Sequence, residues 1–139
     1  MKNILSQYLQ KGEFSYCKDD KLDKKCNAPK DHAGVYIVKD AETKRTLYVG
    51  SSGKVCQNGN VNIRIGGIYD RIVNGKQFNE RRCYSWPTIM SEQSINRLQI
   101  EWYVTFNDAI RHIPAYVEAQ CIQQYFEENG VLPKWNIKL

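Results

Sequence analysis

The sequence predicts an α+β fold, a three-stranded antiparallel sheet (an N-terminal hairpin plus a later strand) flanked by helices. Three observations predict it. Residues 34–39 and 45–50, Gly-Val-Tyr-Ile-Val-Lys and Arg-Thr-Leu-Tyr-Val-Gly, are rich in β-branched and aromatic side chains and are separated by the polar Asp40-Ala41-Glu42-Thr43-Lys44, which is a hairpin pattern. Leu98, Ile100, Trp102 and Val104 alternate with other residues, the period of a half-buried strand. From Pro114 to Asn129 apolar residues recur at helical spacing, with a proline in the first turn and Gly130 just past the end.

In chain order, residues 1–33 read as a short amphipathic helix followed by a polar, charged loop, an extension ahead of the sheet. The hairpin comes next. Centring its loop on Glu42 sets Tyr36 opposite Tyr48, with paired Cβ atoms about 5 Å apart. Val35, Ile37, Leu47 and Val49 then face the other way, towards a core, and a one-residue slip would break this arrangement. Tyrosine is also simply a good strand residue. Gly34 and Gly50 point further, because glycine in or beside a strand often marks close approach of another backbone or a ligand.

Ser51 to Asn60 is a loop. Only Gly50-x-x-Gly53-Lys54-Val55 is present there, not the spacing of a nucleoside-triphosphate loop, so that function is excluded. Ile63, Ile65, Ile68, Tyr69, Ile72 and Val73 follow a helical pattern that ends at Asn74-Gly75. Gly66-Gly67 would cost about 1 kcal/mol per glycine inside a helix, so the helix is expected to begin at that pair. Residues 76–97 are polar and basic, broken by Trp86-Pro87, with a short helix from Ser91 to Arg97. The third strand spans Leu98–Thr105, the last helix Pro114–Asn129, and Leu132 to Ile137 forms an extended tail.

On the last helix Ala115, Ala119, Ile122 and Phe126 form an apolar stripe, with Gln120, Gln123, Gln124, Glu127 and Glu128 on the opposite arc. Glu118 falls beside the stripe, on the Tyr125 side. A carboxylate next to a core is normally paired, protonated or bound to metal. Beside a phenol-bearing sheet face and basic loops, metal binding is the stronger reading for Glu118, with a snorkelling edge residue as the alternative.

The 139 residues suffice for one domain, and 42% hydrophobic content is ordinary for a globular protein. No apolar run is long enough to span a membrane and the N-terminus lacks the apolar stretch of a signal peptide, so a cytoplasmic location is expected. Cys17, Cys26, Cys56, Cys83 and Cys121 are odd in number and irregularly spaced, which predicts reduced thiols and no structural zinc. His32 and His112 are too few for a metal cage. The net charge of +5 permits nucleic-acid binding. Basic residues concentrate in 2–30 and in 61–97, on either side of the hairpin, and favour a phosphate-rich partner.

Taken together these residues resemble the GIY-YIG nuclease family. Gly34-Val35-Tyr36 and Tyr48-Val49-Gly50, eleven residues apart, stand where that family has GIY and YIG. Val117-Glu118-Ala119-Gln120-Cys121-Ile122 is similar to its glutamate segment, and Pro133-Lys134-Trp135-Asn136 to its Pro-x-aromatic-Asn ending. The resemblance covers residues 34–137 and is strong because four weak motifs occur in order at family spacing. It implies a single nuclease domain with residues 1–33 as an extension and 74–97 as a basic insertion. One departure concerns the family's arginine: Arg64 is the favoured match and Arg71 its competitor.

The resemblance implies metal-dependent hydrolysis of DNA phosphodiesters by a compact restriction- or phage-type endonuclease. Other readings are a repair or recombination nuclease, a degenerate DNA-binding module, or an interaction protein with an ordinary tyrosine-rich sheet. In the catalytic reading Tyr36 or Tyr48 is the general base and the other positions water or phosphate. A free phenol has a pKa of about 10, so a cation must favour the phenolate, and Lys54 and the arginine are the candidates. The arginine binds non-bridging oxygens, Glu118 holds one Mg²⁺ or Mn²⁺, and Asn136 supports the glutamate region or a water network. Contacts to DNA are expected from residues 1–33 and from Lys76, Arg81, Arg82 and Tyr84 of the insertion, with Trp86 either stacking or buried. Cutting both strands would suit a homodimer.

Overall fold

The computed structural model describes residues 1–137. In chain order its elements are α1 (Lys2–Leu5), β1 (Lys11–Tyr16), α2 (Leu22–Lys25), β2 (Ala33–Asp40), β3 (Thr46–Ser52), β4 (Lys54–Val55), β5 (Val61–Asn62), α3 (Gly67–Asn74), β6 (Lys76–Gln77), β7 (Glu80–Arg81), α4 (Arg82–Glu92), β8 (Leu98–Phe106) and α5 (Pro114–Asn129). The fold is α+β. One antiparallel sheet runs in the order β1-β8-β2-β3, and β4–β5 and β6–β7 are separate two-stranded ribbons. Among the described residues no helix is long and apolar enough to cross a membrane.

The sheet has four strands rather than three. The extra strand, β1, lies inside the expected N-terminal extension and pairs with β8 from Lys11↔Tyr103 to Tyr16↔Leu98. Only its second half, where Phe14 and Tyr16 are buried, carries a strand pattern. Helix α4 also departs from expectation: it runs through Trp86-Pro87 and ends at Glu92, before most of the expected Ser91–Arg97 helix. Pro87 removes an intrahelical N–H donor, but Trp86 and Met90 are fully buried on this helix, and packing outweighs propensity.

The sheet is the middle of three layers. One face packs Tyr36, Val38, Ile68, Ile72, Trp86, Met90, Leu98, Ile100 and Trp135 beneath α2, α3, α4 and the tail. The other packs Val35, Ile37 and Val49 against Leu5, Tyr8 and, from α5, Val117, Cys121 and Ile122.

The hairpin register differs from the expected one by two residues: Tyr36 lies opposite Gly50, and Val38 opposite Tyr48. A bulge follows, with Lys39 opposite Thr46, leaving Leu47 as the extra residue. Leu47 therefore packs with Tyr36 and Val38, not with Val35 and Ile37 as expected. A two-residue offset preserves side-chain parity, so the two phenols remain on one face as diagonal neighbours, ring centroids 6.0 Å apart.

Both motif glycines are required by space. A Cβ on Gly50 would lie 2.6 Å from the Tyr36 hydroxyl and 2.7 Å from the Tyr48 ring. A Cβ on Gly34 would run into the Tyr103 carbonyl oxygen of β8. Gly50→Ala is expected to cost about 1–3 kcal/mol by overpacking. Gly34→Ala is expected to cost more, because a backbone carbonyl cannot swing aside as a ring can. Urea unfolding of both variants checks this order, and a neutral Gly34→Ala contradicts it.

Candidate active site

The site is an open cavity of about 550 Å³ where the end of β3, the β4–β5 ribbon, α3 and α5 meet. Ser51, Ser52, Gly53 and Lys54 form one wall as the chain leaves β3. Asn62 and Arg64 come from β5 and the following loop, Arg71 from α3, and Ala115 and Glu118 from α5. The Ser52 hydroxyl donates to the Gly67 carbonyl at 3.4 Å, linking the end of β3 to the start of α3. Three cations and one carboxylate line this cavity, a balance suited to an anionic guest.

Glu118 is half-buried. The buried stripe of α5 is Pro114, Val117, Cys121, Ile122 and Tyr125, so of the expected set only Ile122 is buried. Val117, Cys121 and Ile122 pack against the sheet, Tyr125 is buried, and Ala115, Ala119 and Phe126 are exposed. Burial holds the Glu118 carboxyl above its ordinary range, while the Ser51 hydroxyl and the Arg71 charge pull it back. Folding therefore disfavours the ionised form relative to a solvent-exposed carboxyl.

The two candidate arginines differ in what they already hold. Arg64 donates from Nε to Asp70 Oδ2, and Asp70 also accepts from Asn74 Nδ2 at 2.6 Å. The Arg64 hydrogen bond leads the causes that hold the Asp70 carboxyl below its ordinary range. Arg71 has no acidic partner, and its buried Nε has no hydrogen-bond partner among the described residues. Its charge acts on both Glu118 and Tyr48. On geometry Arg71, rather than the favoured Arg64, is the uncommitted guanidinium of the cavity. Lys54 stands exposed at the rim.

The phenols lie outside the cavity lining. Tyr36 is completely buried and its oxygen accepts from Arg82 Nη2 at 2.9 Å. Tyr48 is half-buried. Its phenol is pushed up to about 12 by burial first and by Tyr36, with Arg82 and Arg71 pulling down and Glu118 pushing up. The cations that act on this phenol are therefore Arg82 and, more weakly, the candidate arginine Arg71, not Lys54.

Arg82 is 1% exposed; it is part of the interior and not the surface DNA contact that was expected. It shares a helical face with Trp86 and Met90, at i+4 and i+8, and that spacing was the available sign of its burial. Trp86 is core. Lys76, Arg81 and Tyr84 are exposed, Arg81 donates to Asn74 Oδ1 at 2.6 Å, and none of the three lines the cavity. Asn136 spans the backbone of Val49: it accepts from Val49 N at 3.0 Å and donates to Val49 O at 3.1 Å. With the Trp135 amide donating to Leu47 O at 2.7 Å, it seals the outer edge of β3. These contacts give it a structural role at the strand edge, and it does not line the cavity.

Among the described residues no group of three or more His, Cys, Asp or Glu side chains gathers to hold a metal. The cavity offers the lone carboxylate of Glu118 with the oxygens of Ser51, Ser52 and Asn62 alongside. Such a set fits a hard cation that keeps most of its waters, as Mg²⁺ or Mn²⁺ does. No protein-family model, curated protein or solved structure matches the chain.

A carboxyl whose folded pKa is raised contributes stability below its unfolded pKa and loses it as pH rises through the folded value. Glu118→Gln is therefore expected to keep or raise the melting temperature at pH 7, with the difference from the parent closing near pH 4. Thermal unfolding at both pH values measures this, and a lower melting temperature for the variant at pH 7 contradicts the electrostatics described for Glu118.

Proposed function

We propose that the chain is a metal-dependent endonuclease of GIY-YIG type that hydrolyses DNA phosphodiester bonds in the manner of a compact restriction or phage enzyme. The observation that carries this reading is the pairing, in one cationic cavity, of an uncommitted guanidinium (Arg71) with a lone half-buried carboxylate (Glu118). The phenol pair behind the cavity supports it.

In this reading Arg71 binds the non-bridging oxygens of the phosphate, for which its planar fork is suited. Lys54 at the rim and Arg64, held by Asp70, add positive charge around the guest. Tyr48 is the base, since Tyr36 is sealed from solvent and engaged with Arg82. The Tyr48 phenolate takes a proton from water as the water oxygen bonds to phosphorus. The bond from phosphorus to the 3′ oxygen breaks, and that oxygen takes a proton from solvent, leaving a 5′ phosphate and a 3′ hydroxyl. Glu118, with the neighbouring serine oxygens, would hold Mg²⁺ or Mn²⁺, which supplies positive charge to the phosphoryl and leaving oxygens. Asn136 fixes the edge of the strand that carries Tyr48. DNA contacts outside the cavity fall to the exposed Lys76, Arg81 and Tyr84, and cutting both strands requires two copies or two successive events.

Supercoiled plasmid with Mg²⁺ tests the reading. Glu118→Gln, Arg71→Ala and Tyr48→Phe should each lower cleavage by about 10²-fold or more, and Arg64→Ala by less. Because the phenolate population rises tenfold per pH unit below its pKa, the logarithm of the rate should climb with a slope of about 1 from pH 6 to 9. Cleavage that survives in both Glu118→Gln and Arg71→Ala overturns the proposal. Salt-sensitive DNA binding without any cleavage would instead mark a binding module.

A further inference from the structure

The least ordinary group in the molecule is the guanidinium of Arg82, a permanent cation fully inside a core with no acid in ion-pair contact among the described residues. All its acceptors are neutral. Nε donates to Gln77 Oε1 at 3.1 Å, Nη1 to the Arg71 and Ile72 carbonyls at 2.6 and 3.4 Å, and Nη2 to Tyr36 Oη at 2.9 Å. The guanidinium carbon lies 5.4 Å from the Tyr36 ring centroid, 5.8 Å from Tyr48 and 5.6 Å from Trp86. The two carbonyls belong to the last turn of α3, the negative end of that helix, which accounts for part of the stabilisation. A buried charge still lacks a full counter-charge here. The groups placed to supply one are the phenols.

We propose that Arg82 is a positioning residue of this site: it aims Tyr36 and serves as the built-in counter-charge for a phenolate at Tyr48. The inference rests on the nuclease reading for its purpose but not for its physics. Arg82 sits behind the phenols, away from the cavity, so it touches no substrate and acts through the tyrosines. The groups that act on Tyr48 are Tyr36 from β2, Arg71 from α3, Arg82 from α4 and Glu118 from α5. Arg71 is left to the phosphate, whose negative charge would cancel its pull on the phenol. Arg82 cannot be reached by the guest, so its pull persists through the reaction.

Gln77 provides a second handle. Its Oε1 accepts from both Arg82 Nε and Trp86 Nε1, the latter at 2.9 Å, whereas its buried Nε2 has no partner among the described residues. Gln77→Glu therefore keeps both accepted bonds, removes an orphan donor, and hands Arg82 a carboxylate. It cancels the cation without deleting it.

The test places a fluorinated tyrosine, more acidic than tyrosine, at position 48 and follows its titration by ¹⁹F NMR in the parent, Arg82→Lys, Arg82→Met and Gln77→Glu. The midpoint should rise by about 1 pH unit or more in Arg82→Met and in Gln77→Glu, each unit being tenfold in the equilibrium. It should rise less in Arg82→Lys, which keeps the charge without the fork. Plasmid cleavage by the unlabelled variants should fall at neutral pH and recover as pH is raised. If Arg82→Met does not fold, Gln77→Glu carries the test. An unmoved midpoint in a folded Arg82→Met or Gln77→Glu overturns the inference even if cleavage by the parent is intact. A midpoint that moves in a chain that cleaves no DNA leaves the role of Arg82 standing and overturns the nuclease reading instead.

Discussion

The arrangement of the sheet face, the insertion and the cavity depends on one buried guanidinium. Arg82 enters from the first turn of α4, ties the end of α3 through two carbonyls, and reaches the hydroxyl of Tyr36 on β2. Three elements distant in sequence are thereby held in one relation. Gly75 belongs to the same arrangement, since a Cβ there would collide with the guanidinium and with the Arg71 carbonyl. Residues 74–97 are for this reason not an appendage to the sheet but the lid of its larger core. Such a group is weak support for stability as such, because a hydrophobic replacement of similar volume can do as well. What it adds is a fixed charge of known position.

Around that charge the site accumulates features that work against stability. Glu118 is held half-buried with Ser51 and Arg71 favouring its ionised form, Arg71 keeps a buried donor with no partner among the described residues, and Tyr48 is pushed far from ionisation. The first would be relieved by a divalent cation and the second by an anion entering the cavity, the pattern of a surface prepared for a guest. By contrast Asn136, Trp135 and the motif glycines are satisfied and tightly packed, and serve to hold the frame. The division between strained and satisfied groups separates the reactive part of the site from its support without reference to any activity.

Much of this frame was legible in the chain because it follows from local chemistry. Pro114 and Gly130 mark both ends of α5, the two glycine-bearing tripeptides mark the hairpin, and Gly66-Gly67 marks the start of α3. What escaped depended on long-range packing. Strand β1 alternates over only half its length, and pairing with β8 completes it. Helix α4 survives Pro87 because Trp86 and Met90 are buried. The hairpin register differs by two because the turn pairs Lys39 with Thr46, one residue from the expected register, and the Leu47 bulge adds the second. On α5 the spacing of Ala115, Ala119, Ile122 and Phe126 points to one face, whereas Val117, Cys121, Ile122 and Tyr125 are buried. The charge of Arg82 points to the surface, although its spacing with Trp86 and Met90 places it on a buried face.

The central claim is that Glu118 and Arg71 share a cavity made for a divalent cation and a phosphodiester. Titrating ¹⁵N-labelled chain with Mn²⁺ in the presence of a short DNA duplex tests it most directly, because the paramagnetic ion broadens only nearby amides. The backbone signals of Ser51, Ser52, Gly53 and Asn62 should vanish first in the parent chain and persist in Glu118→Gln. Broadening that spreads over the exposed acids of the surface, or that is the same in Glu118→Gln, would contradict the claim.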